Sequence, residues 1–374
     1  MPRVIGIDPG TVSIDLCGLE DGRVFLDHSL PTPEALAHPS ILVRMLDEAH
    51  RAAPLDLVAG PSGYGLPLTN ARDLTETDLR LAYLAAEGET GGIAGLRTLI
   101  RALASSSTSV PVVLTPGVVH LASVPAHRKV NRVDMGTADK VCATALAVHE
   151  RAAARGCREE DVSLILLELG GAFTAAVAVD QGRIVDGLGG SSGALGFRAA
   201  GALDGEVAFL ARSVPKTLLF GGGVATIAGT PDAPAEVLAS ATTPRARLAW
   251  EAYIESAVKA VATLAIAVPS GCEVVLSGRM ARVDTVRQGL MRRLSALGAS
   301  RLVSFTASSV HVLTGFAPIA KHAAQGAALL ADGLAGGRSA PLVAALGIRE
   351  AHGTVFDHLY VISPSDARAR LGIT

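Results

Sequence analysis

Two short stretches put side chains suited to phosphate chemistry at the ends of apolar runs. "VIGIDPGTVSID" (residues 4–15) closes on Asp8 and turns at once through Pro9, Gly10 and Thr11 to Ser13. A carboxylate so placed can orient magnesium-bound water, because Mg²⁺ takes one or two carboxylates and keeps several waters. The hydroxyls of Thr11 and Ser13 and the amides near Gly10 suit phosphate oxygens, as do the amides near Gly170 and Gly171 in "LELGGAFT". A third candidate is "GTADKV", where Thr137 is the expected N-cap of a helix whose free N–H groups, dipole and Lys140 would attract phosphate. The same residues equally make an ordinary capped helix with a solvated lysine. Asp134 and Asp139 are the acids beside this motif, each either a general base or an acid placed by the helix dipole. Together these groups point to phosphoryl transfer, which is mainly positioning and charge neutralisation.

Two glycine turns follow in the second half. "PKTLLFGGGV" reads as a strand ending on Gly221, Gly222 and Gly223, and "VVLSGRMARV" sets Ser277 and Gly278 between a strand and an amphipathic helix. Glycine there lets main chain approach a nucleotide closely. Neither turn fits the P-loop or the dinucleotide-binding pattern. A carboxylate acceptor, ionised near neutral pH, would need no strong base but an arginine fork, and Arg128, Arg132 and Arg198 are candidates by location. His120 and His127 are not spaced as metal ligands, and Cys17, Cys142, Cys157 and Cys272, lacking a CxxC pair, are expected to be buried thiols.

The elements that must position these residues alternate strand and helix, giving an α/β protein. Within 6–27 and 167–187, residues align without a gap at an offset of 160, with Asp8 on Glu168, Gly10 on Gly170 and Gly22-Arg23 on Gly182-Arg183. Each copy reads as three strands joined by tight turns, a duplicated meander. "LDLVAGP" and "VPVVLTP" add strands, and the loop from Gly60 to Thr69 is either a cleft lining or a surface connection. Gly156 closes the helix begun at Thr137. Trp250, Ile254, Ala257, Val258, Val261 and Leu264 form the core stripe of another helix. The small residues Ala320, Ala324, Gly326 and Ala327 allow a last helix to pack closely against its counterpart in the first lobe. A strand is expected at Val355–Ile362, in a tail docked on a lobe.

With 374 residues two domains are expected, and a net charge of −2 with intermixed signs argues against a nucleic-acid partner. The chain is 49% hydrophobic yet has no apolar run of membrane-spanning length and no leader-like start, so a cytoplasmic protein without a membrane partner is expected.

The order of "IGIDPGT", "GTADKV", "LELGGAFT", "VVLSGRMARV" and the small-residue helix resembles the signature of the actin, Hsp70 and sugar/acetate kinase (ASKHA) superfamily. "AGPSGYGLP", "NRVDMGTADKV" and "GALDGEVAFL" further resemble an uncharacterised family of predicted butyrate kinases. The resemblance implies two RNase H-like lobes, 1–160 with an insert at about 40–130 and 161–335, with ATP in a cleft between them and a C-terminal segment 336–374 packed on one lobe. It implies Mg²⁺ near Asp8 and Glu168, a second phosphate loop carrying Thr174, and an adenosine turn at "LSGRMAR" with Arg279. In that superfamily the second loop usually opens on Asp, and Glu168 departs from this. The activity implied is ATP- and Mg²⁺-dependent phosphotransfer to a small molecule such as a short-chain carboxylate, with Asp139 and Arg132 as further catalytic candidates and a homodimer as the assembly considered. An ATP-dependent ligase or nucleotide-gated ATPase, a non-catalytic nucleotide sensor, and a metal-dependent nuclease are the alternatives. The nuclease lacks its carboxylate cluster and basic groove.

Overall fold

In the computed structural model of the chain, residues 1–10, 12–61, 63–85, 92–104, 110–240, 242–299 and 309–373 are described. They form two compact units. Unit 1 comprises Met1–Val133, Thr137–Asp161 and Thr314–Thr374, and unit 2 comprises Asp134–Gly136 and Val162–Leu313.

Unit 1 is built on a six-stranded sheet of β1 (Arg3–Pro9), β2 (Ser13–Glu20), β3 (Arg23–Pro31), β4 (Leu57–Pro61), β5 (Thr69–Asn70) and β6 (Val112–Thr115), in the order β3-β2-β1-β4-β6-β5. β1, β2 and β3 pair antiparallel, whereas β1, β4 and β6 run parallel, so Asp8, Pro61 and Thr115 lie at the same end of the sheet. Unit 2 repeats this plan in five strands: β7 (Leu164–Leu169), β8 (Thr174–Asp180), β9 (Arg183–Leu188), β10 (Glu273–Ser277) and β11 (Val310–Val312), in the order β11-β10-β7-β8-β9. The outer three are again antiparallel and β7, β10 and β11 parallel.

The duplication extends to backbone detail. The β2–β3 ladder slips register at Gly18/Leu19 and the β8–β9 ladder at Ala178/Val179, the same place after an offset of 160. Asp21-Gly22 and Gln181-Gly182 both sit at positive φ, the backbone of the hairpin turn that matches strand twist. The turn after β1 closes by the Gly10 amide donating to the Ser13 carbonyl at 3.1 Å, and that after β7 by Gly170 to Phe173 at 2.9 Å.

The His322–Leu334 helix lies across β1, β2 and β4 and packs on the Ala138–Arg155 helix, as the small residues predict. A Cβ at Gly326 would come within 1.8 Å of the Cys142 carbonyl oxygen, and one at Gly6 within 2.1 Å of the Ala328 nitrogen. Backbone therefore meets backbone at both positions, which only glycine permits. In unit 2 the Pro244–Leu264 and Asp284–Ala299 helices cover one sheet face through Tyr253, Ala257, Val261 and Leu290, with Trp250 edge-on to Tyr253 at 5.8 Å.

The structure differs from the sequence expectations in five places. Residues 314–335 belong to unit 1 rather than to the second lobe, because their helix buries its small-residue face on β1. The stretch expected as an insert at 40–130 contains β4 and β6, which complete the main sheet. "KTLL" before Gly221 is a short helix, Lys216–Leu219, started by Pro215 at the N-cap. Val355–Ile362 forms turns instead of a strand: Val355 and Phe356 are buried, and Asn131 Oδ1 holds the amides of Tyr360 and Val361 at 2.7 and 3.0 Å in place of a strand neighbour. Cys157 is half-buried, while Cys17, Cys142 and Cys272 are buried, and all four are free thiols.

Candidate functional site

In unit 1 the expected phosphate turn is a buried, charged site. β1 delivers Asp8 to its end with only 6% of the residue exposed. Thr32 fastens the turn, its hydroxyl donating to the Gly10 carbonyl at 2.7 Å and its amide to the Val12 carbonyl at 3.0 Å. Thr11 lies outside the described residues. Burial pushes the Asp8 carboxyl up to about 6; Lys321 and Lys140 oppose that shift, and Asp139 and Asp15 reinforce it.

Lys321, absent from the sequence candidates, is the residue closest to this carboxylate in charge. Its Nζ is 3.5 Å from Asp8 Oδ2 and 3.8 Å from Asp15 Oδ2, and it donates to the Ser13 carbonyl at 2.8 Å. The backbone around it is clamped: Ile319 and Ala320 donate their amides to Asp27 at 3.0 and 2.6 Å, and Lys321 donates its own to Asp15 at 2.8 Å. Asp15 also accepts from the Ser29 hydroxyl at 2.7 Å. Sequence reasoning missed Lys321 because a lone lysine before a small-residue helix carries no motif, and its partners lie about 310 positions away.

Thr137 occupies the N-cap of the Ala138–Arg155 helix, but its hydroxyl donates to Asp139 instead of receiving a main-chain amide. Lys140 Nζ contacts Asp139 Oδ2 at 2.5 Å. Burial disfavours charge on Asp139, yet Lys140 and the Thr137 hydroxyl outweigh it and hold the carboxyl below the usual aspartate range. Asp139 is thus a paired anion close enough to Asp8 to raise its pKa, and a poor general base.

Arg132 Nη1 is buried with no hydrogen-bond partner among the described residues. Arg128 is half-buried, and the exposed Arg198, in unit 2, donates to the Pro231 carbonyl at 2.8 Å. His120 is buried at 1% exposure and its pKa is depressed by burial, the behaviour of a structural neutral imidazole; His127 is exposed. Asp134 caps a loop of unit 2, accepting the amide of Ser191 at 2.9 Å and its hydroxyl at 2.8 Å.

In unit 2 the second turn is built by β7 and β10, whose parallel register sets Ser277 beside Glu168. Glu168 Oε2 is buried and has no hydrogen-bond partner among the described residues. Gly171 is open, since a Cβ there would meet nothing within 4 Å, whereas Gly278 at φ 87° lies against the Leu169 carbonyl. Thr174 is fully buried on the core side of the sheet. The Gly221–Gly223 segment is tied to this turn indirectly: Gly223 donates to the Arg198 carbonyl at 2.9 Å, and the Arg198 amide to the Ala172 carbonyl at 3.1 Å. Phe173 and Phe220 meet edge-on at 4.9 Å. Arg279 is largely exposed, 3.8 Å from Glu236. Asp8, Gly10, Ser13, Thr137, Asp139 and Lys140 are therefore gathered in unit 1, and Glu168, Gly170, Gly171, Ser277 and Gly278 in unit 2.

No cluster of three or more His, Cys, Asp or Glu side chains fit to hold a metal exists among the described residues. Mg²⁺ still fits as an ion that arrives with phosphates, since it then needs only one or two protein carboxylates. Within unit 1, Asp8 at its turn meets that requirement by itself; within unit 2, Glu168 Oε2, without a hydrogen-bond partner among the described residues, meets it by itself. No helix among the described residues is long and apolar enough to cross a membrane.

Comparison with known proteins bears on the fold. The chain is similar to a propionate kinase from Francisella tularensis subsp. tularensis SCHU S4 (TM-score 0.66, 15% identity, 87% of this chain and 99% of that one). It is also similar to the acetate kinase of Porphyromonas gingivalis (0.60, 16%, 87% and 98%) and to a ROK family protein from Streptococcus pneumoniae TIGR4 (0.50, 14%, 87% and 96%). At these identities the likeness shows the fold alone, which is that of the two-lobed acetate and propionate kinases. No curated protein matches by sequence. A family model described as "Protein of unknown function (DUF1464)" matches residues 6–361, and the chain belongs to that family.

Proposed function

We propose that the protein is an ATP- and Mg²⁺-dependent phosphotransferase acting on a small acceptor, with a short-chain carboxylate as the favoured class. The observation that carries this proposal is the buried Asp8 at the end of a parallel strand, facing a glycine turn and flanked by Lys321 and Lys140. Ligands of open α/β sheets bind at such strand ends. Lys321 gives phosphate a positive partner and Asp8 would orient the ion that accompanies it, while in unit 2, taken by itself, Gly171 leaves main chain open at the second turn. Bound Mg²⁺ would supply charge neutralisation on the transferring phosphoryl group.

Acceptance by a carboxylate agrees with the absence of a free base beside Asp8 among the described residues: Asp139 is engaged by Lys140 and Thr137, and a carboxylate acceptor needs no deprotonation. The buried, unpartnered Arg132 Nη1 is suited to the acceptor's carboxylate. The neighbours named as propionate and acetate kinases support the same class.

The test is ADP release with ATP and Mg²⁺ against a panel of short carboxylic acids and simple sugars. The proposal expects release that depends on a carboxylate. Release without any acceptor points instead to an ATPase, and nucleotide binding with no release to a sensor.

A further inference from the structure

We propose that Lys321 is a built-in cation of the phosphate turn, one that receives the phosphates of a nucleotide and sustains nucleotide binding when no divalent metal is present. The inference rests on the nucleotide-binding function proposed above and deepens it by giving Lys321 a role of its own when no divalent metal is present.

Four observations carry it. First, the position of the lysine is enforced by elements distant in sequence. Asp27 takes the amides of Ile319 and Ala320, and Asp15, 1% exposed, takes that of Lys321, so both carboxylates hold main chain in place. Second, the ammonium lies on the turn itself. It donates to the Ser13 carbonyl at 2.8 Å, stands 3.5 Å from Asp8 Oδ2, and would be 2.6 Å from a Cβ at Gly10. Third, the side chain is 41% exposed while that of Asp8 is 8% exposed, so the pair presents its positive member to solvent. An ammonium has three donors; among the described residues only the Ser13 carbonyl takes a hydrogen bond from it, Asp8 and Asp15 being ion pairs at 3.5 and 3.8 Å, so donor capacity remains for an incoming oxygen. Fourth, Lys140, the cation expected from the sequence to meet phosphate, is bound to Asp139 at 2.5 Å.

A lysine so held performs part of the task of a divalent ion, offsetting the Asp8 charge and giving phosphate a positive partner. It has no need of recruitment from solution, and its backbone is already ordered.

The experiment measures ATP binding by calorimetry, with Mg²⁺ and with EDTA, for the wild type, Lys321→Met and Lys321→Arg. Wild-type affinity should fall by no more than about tenfold in EDTA, whereas Lys321→Met should lose at least a further tenfold in EDTA, the value of one charge-assisted hydrogen bond. Lys321→Arg should recover most of that loss. Because Lys321→Met leaves Asp8 buried without its cation, the double variant Asp8→Asn/Lys321→Met, with both charges removed, serves as the folded control. It should melt no lower than the wild type and still bind poorly in EDTA. Equal affinity of wild type and Lys321→Met in EDTA, or wild-type binding that vanishes without Mg²⁺, overturns the role of Lys321. Absence of wild-type binding in both buffers overturns the nucleotide-binding proposal instead.

Discussion

Asp8 is the residue on which the proposed chemistry and stability meet. Burial raises its carboxyl to about 6 in the fold, against about 3.9 in an unfolded chain, so the native state binds more protons than the unfolded state between these values. Stability from this group is therefore full below about pH 4, falls as pH rises through 6, and is flat above. Asp8→Asn should accordingly stabilise the protein at neutral pH by on the order of 2–3 kcal/mol and flatten the pH 4–6 profile, as chemical denaturation at several pH values will show. The same substitution should reduce phosphotransfer by at least about a hundredfold, if removing one electrostatic contact to phosphate costs what removing an oxyanion donor costs elsewhere. Near-normal turnover would remove Asp8 from the site. Asp8 and the turn glycines were legible from the sequence because acid, glycine and strand adjoin along the chain. Lys321 was not, because adjacency in space between the end of β1 and the start of a helix near residue 320 has no local signal.

At the scale of elements, the duplication was the most informative sequence feature, and the structure extends it to shared bulges, turn backbones and strand order. The docking of the His322–Leu334 helix shows what small residues accomplish in such a fold. Since Gly326 backs directly onto the Cys142 carbonyl, Gly326→Ala should destabilise unit 1 by more than about 2 kcal/mol, read from a shifted denaturation midpoint. Gly171→Ala, at an open position, should leave stability within about 0.5 kcal/mol, which makes it a control. The misread strand before Gly221 has a physical origin as well. The short apolar run Leu218-Leu219-Phe220 fits either period, and Pro215 favours a helix start there.

For the whole molecule, the C-terminal segment returns to unit 1 and is fastened at several points. His352 donates its amide to the His120 carbonyl at 2.9 Å, Asn131 receives the amides of residues 360 and 361, and Arg80 donates to the Gly372 carbonyl at 2.6 Å. Deleting residues 352–374 should lower the thermal midpoint of unit 1 by several degrees, as expected when buried Val355 and Phe356 and these bonds are lost together. ATP with Mg²⁺ should raise the melting temperature with a dependence on ligand concentration that follows RT ln(1 + [L]/Kd). An unchanged melting curve at saturating ATP would count against nucleotide binding.

By itself the sequence determined the class of fold, the repeated meander, the carboxylate-glycine turns and the helix begun at Thr137, because each rests on neighbours in the chain and on periodicity. Tertiary structure alone decided that 314–374 rejoins the first unit, that β4 and β6 complete its sheet, that Lys140 is occupied by Asp139, and that Lys321 stands over Gly10. These depend on contacts between segments far apart in the chain. Burial and charge there are set by what the fold brings together, and no local pattern of residue types encodes the partner.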